Sequence, residues 1–419
     1  MPSGTSPPAS PPRAPGYRTL LRNREFAGLY AGFTLTVAAS TLSGCALGTL
    51  VQHRTGSPFL TAVSMYGATF ATVFGALTLM SVADGSRPRR TLLTLQCVSL
   101  AGVAAQAIPG LPLTARFGLL LALGFFQSLG TGTRLGLLAE TVPAAGYAPA
   151  RSLMNITSGG AAVLGYAAST LLLRRLGPSE IFLLAAVLTG LAVAVLAATV
   201  RERPVRSAHR PGLRRTWTTN AALFSDPGAR ALLLNLWVPN GLVVGCEALF
   251  IPYAPEHAGT LLAAAAAGML LGDLAVGRLL GPDRRRRCAF ALRLLLAAPY
   301  LLFAWHPPVP VLVAAVFVSG AGFAATLPLQ EQLLALTPRP VRGQVQGVES
   351  AGRMTWQGIG AAVAGGLAQF FGPAVAITAL TVASLAVTAG SRPFVAGAGA
   401  IGAGSPHRPP ITPGKGLHL

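Results

Sequence analysis

Long apolar runs, separated by short joints rich in Gly, Pro and Arg, set the pattern of this 419-residue chain. A bilayer core of about 30 Å needs roughly 20 helical residues per crossing, and the runs have that length. They predict twelve spans, at 26–50, 58–82, 91–108, 117–138, 153–173, 181–200, 230–253, 258–279, 288–305, 309–330, 346–370 and 373–390. Phe26 to Val51, Pro58 to Ala83 and Ile181 to Val200 carry no charge at all. The uncharged run from Met354 to Ser391 is too long for one crossing. It divides at Phe371-Gly372-Pro373, since Gly ends a helix and Pro starts one. Spans seven, eight and nine each hold a charge: Glu247, Asp273 and Arg293.

Between and around these spans the polar segments divide the chain. Residues 1–17 and 392–419 are Pro-rich and read as disordered tails, the first of them lacking the apolar segment of a signal peptide. The Arg-rich stretch 201–228 is a linker between an N-terminal bundle, 18–200, and a C-terminal bundle, 229–391. The halves echo each other. Spans two and eight each run into a short basic loop, Asp84 to Arg90 and Pro282 to Arg287, and Thr141-Val142-Pro143 is matched by Thr337-Pro338. The expected fold class is all-α: a polytopic membrane protein with twelve transmembrane helices in two pseudo-symmetric six-helix bundles, the architecture of secondary transporters.

Composition agrees and narrows the function. With 52% hydrophobic residues, 11% charged and a mean hydropathy of +0.58, the chain is not an ordinary soluble protein, which carries about 25% charged residues. A net charge of +20 raises nucleic-acid binding, so the placement of the bases decides. With the N-terminus in the cytoplasm, only Arg54, Arg116, Arg174 and Arg175 fall in outward loops, and the other 28 of 32 bases lie on the cytoplasmic side. That marks topology and contact with anionic headgroups, with no nucleic-acid partner. Both tails and the linker are then cytoplasmic. Cys45, Cys97, Cys246 and Cys288 lie far apart in apolar stretches, and the six histidines are scattered over loops and tails. Neither a disulfide framework nor a metal site is expected. There is no Walker A sequence, hence no ATP motor, and no cofactor is implied.

Several short segments resemble the major facilitator superfamily, and within it the drug and natural-product exporter branch common in actinobacteria. They are Leu21-Arg22-Asn23-Arg24-Glu25-Phe26, Thr55-Gly56-Ser57, Glu140-Thr141-Val142-Pro143 and Arg342-Gly343-Gln344, and the likeness extends over residues 18–390. The loop after span two is similar to that superfamily's Gly-x-x-x-Asp-Arg-x-x-Arg-Arg signature at Asp84, Arg89 and Arg90, with Met80 and Gly85 departing from it. Span five carries Gly159, Gly160 and Gly165 but lacks the Pro that antiporting members place there. The resemblance implies a monomeric secondary active transporter, not an enzyme, exporting a small amphipathic compound by proton exchange across the cell membrane. It also implies a conformational latch at Asp84, Arg89 and Arg90, and a cavity lined by spans one, four, seven and ten. Arg134 is similar to the superfamily's span-four Arg, with Glu140 or Asp84 as its partner. A solute importer or facilitator of the same fold is the alternative, followed by a polytopic membrane enzyme.

The residues themselves point to a site. Charged groups inside a span are costly and mark function or pairing. Asp273 and Arg293 lie at similar depth, about 8 Å from one face by helical rise, and are expected to pair. Glu247 has no basic neighbour in sequence; a buried carboxylate without a partner is what a proton carrier requires. Asn240 shares its helix face, and Pro239-Asn240-Gly241 predicts a kink near the midplane. Gln127, Ser128 and Thr131 of span four and Thr34, Thr36, Ser40 and Thr41 of span one are further cavity candidates, with helix-to-helix hydrogen bonding as their other reading. Asn155, Trp356 and Gln357 are undecided.

Overall fold

The structure, a computed structural model, describes residues 17–84, 87–202, 223–337 and 342–392. Both expected tails and most of the linker lie outside the described residues. So do the side chains of 76–84, 144–149 and 342–344, and several between 128 and 155.

After a short helix, Tyr17–Arg22, the described residues form twelve membrane-length units and no strand. Spans one to six are Arg24–Thr55, Pro58–Asp84, Pro88–Gln106, Leu113–Thr141, Ala144–Leu173 and Pro178–Thr199. Span seven joins Pro227–Ala248 to Phe250–Tyr253, span eight is Ala258–Leu279, and span nine joins Pro282–Ala297 to a 3-10 segment, Ala298–Trp305. Span ten joins Val309–Gly322 to Thr326–Leu336, and spans eleven and twelve are Arg342–Phe371 and Pro373–Gly390. Among the described residues, eight of the units are long and apolar enough to cross a bilayer on those grounds alone. The protein is a multi-pass, all-α membrane protein.

Local chemistry sets the boundaries. The Asn23 side chain accepts from the N–H groups of Glu25 and Phe26, at 3.0 and 3.2 Å, and so starts span one. Gly56, at φ 60°, ends it in the left-handed conformation that glycine adopts without penalty. Asp226 caps span seven through the Ala229 N–H at 2.8 Å. The expected kink at Pro239 is not a break: the helix runs unbroken from Pro227 to Ala248 and is interrupted at Leu249 instead. Pro252 accounts for this, since it offers no N–H to the Ala248 carbonyl and its ring crowds it. The same rule places the 3-10 turn Phe323–Ala325 one turn before Pro328 in span ten.

The two bundles repeat one packing plan. Span one lies against six as seven lies against twelve, two against four as eight against ten, and three against six as nine against twelve. Among the described residues the main seams between the bundles are span two with eleven and span five with eight. Alternating directions put both described termini, with residues 200–202 and 223–227, at one end, here called proximal, and the joints at 56–57, 107–112, 174–177, 254–257 and 306–308 at the other, distal end.

Arg116 departs from the sequence reading, which placed it as an outward loop base. It is 1% exposed, and its guanidinium donates to the carbonyls of Gln106, Ile108 and Leu111, closing the end of span three; it also lies 5.7 Å from the Phe182 ring centre. Replacing it by Leu leaves three carbonyls without their donor. Hydrogen bonds to charged groups contribute about 1.5–3 kcal/mol each, so Arg116→Leu should destabilise the N-terminal bundle by at least about 3 kcal/mol. Thermal unfolding in detergent would measure it. Arg116→Lys should recover only part, because an ammonium does not present the same planar fork.

Candidate functional site

The bundles share apolar packing at the distal half. One buried cluster combines Cys45 with Val243, Phe250, Ile251, Leu261 and Tyr300, and draws in Met65, Tyr66 and Tyr166 from spans two and five. A second joins Ala62 of span two with Ala248 and Ala361. At the proximal end each described cluster belongs to one bundle alone: Leu20, Phe26, Leu138, Val142, Ala150 and Met154 on one side, and Leu232, Leu236, Trp237, Leu329 and Leu333 on the other. Hydrogen bonding follows suit, with the Ser57 hydroxyl donating to Gln369 Oε1 across the distal seam at 2.7 Å. The molecule is closed distally.

Glu247 lies inside this seam. It is 4% exposed, and no ion pair to it occurs among the described residues. Tyr66 and Tyr166 of the N-terminal bundle and Tyr300 of its own lie within its electrostatic reach. The Tyr300 hydroxyl adjoins the carboxylate, yet neither it nor Glu247 Oε1 meets hydrogen-bond geometry with any described group. Burying a lone charge costs several kcal/mol, far more than burying the neutral form of the same group. A carboxyl group between two bodies, bonded to neither, is suited to change its proton when they part.

Asn240 lies two turns nearer the proximal end on the same helix face, 3% exposed, and its Oδ1 accepts from Gln357 Nε2 of span eleven at 3.0 Å. It holds spans seven and eleven together, where Gly241 and Gly360 meet backbone to backbone. Gln357 thereby acquires a role the sequence left undecided.

The expected Asp273–Arg293 pair does not form. Arg293 is 1% exposed and donates through Nε to Asn235 Oδ1 at 3.1 Å, with the Glu349 charge beside it. Asp273 is exposed. Gly272 lies against the Ala321 backbone of span ten, and one residue further round the helix turns by about 100°. Asp273 instead shares the stripe of Leu270, which packs on Gly159 of span five. It therefore sits one turn proximal of the span five–eight seam, on the face between the bundles.

Glu349, which sequence reasoning missed, is a second buried acid of the C-terminal bundle, at 1% exposure. It accepts from Arg353 Nε and Gln330 Nε2, both at 3.1 Å, and its carbonyl accepts from Trp237 Nε1 at 2.9 Å. Its position near the end of a predicted span, four residues before Arg353, was the available signal.

The expected latch is only partly described. The Asp84 side chain lies outside the described residues. Arg89 and Arg90 approach Glu202 at 3.8 and 4.0 Å, and Arg89 donates to the Ala197 carbonyl at 2.8 Å, tying the loop to the end of span six. Arg134 lies 4.9 Å from the Phe33 ring centre, a cation–π contact between spans four and one. Gln127 is exposed, whereas the side chains of Ser128, Thr131 and Asn155 lie outside the described residues. Thr36 accepts from Gln96 of span three at 2.7 Å, so it serves packing inside its bundle; Ser40 is exposed.

Among solved structures, a POT family transporter in complex with 5-aminolevulinic acid superposes with a TM-score of 0.73 at 11% identity, covering 90% of this chain and 97% of the other. A peptide transporter POT in complex with sulfate gives 0.72 at 13% identity, over 93% and 97%. The human organic anion transporter MFSD10 (TETRAN) gives 0.62 at 16% identity, over 89% and 99%. This is the major facilitator fold. Neither a family model nor a curated protein matches the sequence. Within the major facilitator fold, the seams between spans two and eleven and between five and eight are the surfaces along which one bundle faces the other.

Proposed function

We propose that the chain is a secondary transporter that exports a small amphipathic compound in exchange for protons, by rocking its two bundles about a central cavity. The carrying observation is Glu247, a buried carboxyl group without an ion partner among the described residues, in the seam that must part. In this reading the proximal end is cytoplasmic, which the distribution of Arg supports, and the structure is the inward-facing state. Asp273 and Gln127, exposed on spans eight and four, meet the compound or its proton on the way in, and Thr131 and Asn240 belong to the same path. Asp84, Arg89, Arg90 and Arg134 form the latch that holds the cytoplasmic end when the distal end opens. One chain supplies both bundles, so a monomer suffices, with substrate, protons and the bilayer as its partners.

Expression in a host stripped of its own pumps tests the direction. Cells should accumulate less of at least one apolar compound than control cells, and a protonophore should abolish the difference. Greater uptake on expression, under the same proton gradient, would favour an importer of this fold.

A further inference from the structure

A cavity of about 740 Å³ lies at the distal end beside the seam. One wall comes from the N-terminal bundle, with Cys45 and His53 of span one and Arg174 after span five. The other comes from the C-terminal bundle, with Ile251 at the end of span seven and Glu256 and His257 in the joint to span eight. Its volume falls among small-molecule sites, which run to roughly 300–1,000 Å³.

Two observations point to a ligand. Its fixed charges are of opposite sign and stand on opposite bundles, Arg174 on one and Glu256 on the other, and neither forms an ion pair among the described residues. Two opposite charges without an ion pair among the described residues, in a cavity whose lining also holds the apolar Cys45, Ile251 and Leu173, match a molecule with an ammonium, a carboxylate and an apolar body between them. Moreover, the walls belong to bodies that touch at the cavity's edge, where Gly259 of span eight sits on Thr170 and the Tyr166 carbonyl of span five with no room for a Cβ. Separating the bundles there carries Arg174 away from Glu256.

We propose that this cavity binds a zwitterionic small molecule with an apolar body, its carboxylate against Arg174 and its ammonium against Glu256, and that occupancy holds the distal end closed. A ligand that fits one of two states stabilises that state by its differential affinity. The locking rests on the alternating-access reading above; the binding does not.

The test uses the full chain in lipid nanodiscs and titration calorimetry with omega-aminooctanoic acid, octylamine and octanoic acid, empty nanodiscs being subtracted. The zwitterion should bind at least about tenfold more tightly than either singly charged compound. Arg174→Gln and Glu256→Gln, at exposed positions that leave the core untouched, should each weaken it about tenfold, and the exchange Arg174→Glu with Glu256→Arg should restore it. Equal affinity for all three compounds, undiminished binding in both Gln variants, or no binding at all would overturn the site. In proteoliposomes the zwitterion added at the distal face should slow flux in the parent chain and not in Arg174→Gln. Tight binding with unchanged flux would keep the site and overturn the locking.

Discussion

Glu247→Gln should abolish uphill transport while leaving downhill exchange measurable. The amide keeps the shape of the carboxyl group, within electrostatic reach of Tyr66, Tyr166 and Tyr300, but it cannot take up or release a proton. Folding should survive, because the position has no ion partner to lose among the described residues. The steady-state gradient should fall by at least about tenfold, equivalent to about 1.4 kcal/mol of driving force. Proteoliposomes loaded with a pH dye separate the two halves of the claim: substrate flux down its own gradient continues, and the accompanying proton movement stops. Proton movement still linked to substrate in the variant would leave Glu247 as a packing residue and turn attention to Asp273.

Gly365→Val should stop the cycle by a different route. Gly365 of span eleven lies in the distal seam, where an added Cβ would stand 2.7 Å from Phe59 Cα and 3.1 Å from the Pro58 carbonyl oxygen. Backbone cannot move aside as a side chain does, so the bundles must separate. Overpacking of this kind costs about 1–3 kcal/mol, enough to reduce the distally closed population by roughly 5- to 150-fold. The next residue provides the control, since a Cβ on Gly366 meets nothing within 4 Å; Gly366→Val carries the same helix cost without the clash. In a chain lacking Cys97 and Cys288, a membrane-impermeant maleimide applied distally should label Cys45 faster in Gly365→Val, and at the parent rate in Gly366→Val. Equal labelling in both would mean that the seam is not what keeps Cys45 buried.

The sequence made the spans readable because a bilayer demands length and apolarity, both one-dimensional quantities. Phe371-Gly372-Pro373 was placed as a boundary for that reason and is one, with Gly372 at φ 82°. Azimuth was harder. Asp273 and Arg293 have matching depths, yet depth does not say which way a helix faces, and they point apart. The interruption of span seven at Leu249 went unread because Pro239 and Gly241 near the midplane drew attention from Pro252, whose missing donor acts four residues earlier. Arg116 and Glu349 were missed for a common reason. Each lies at a span end, where a charge reads as solvated until a tertiary partner, the end of span three for one and Arg353 for the other, shows it to be buried. Glu247 was singled out because nothing in sequence could pair with it, and the structure keeps it without an ion partner among the described residues.

The central claim is that transport requires the distal ends to part, and the Ser57–Gln369 contact offers the most direct measurement of it. These side chains meet at 2.7 Å across the seam, so cysteines at both positions, in a chain without the native four, can be joined by a short, reducible bifunctional thiol reagent. Proteoliposomes holding the joined protein should bind substrate offered at the proximal face but transport none, and reduction should restore flux to the level of the unjoined protein. Undiminished flux through the joined protein would contradict the account.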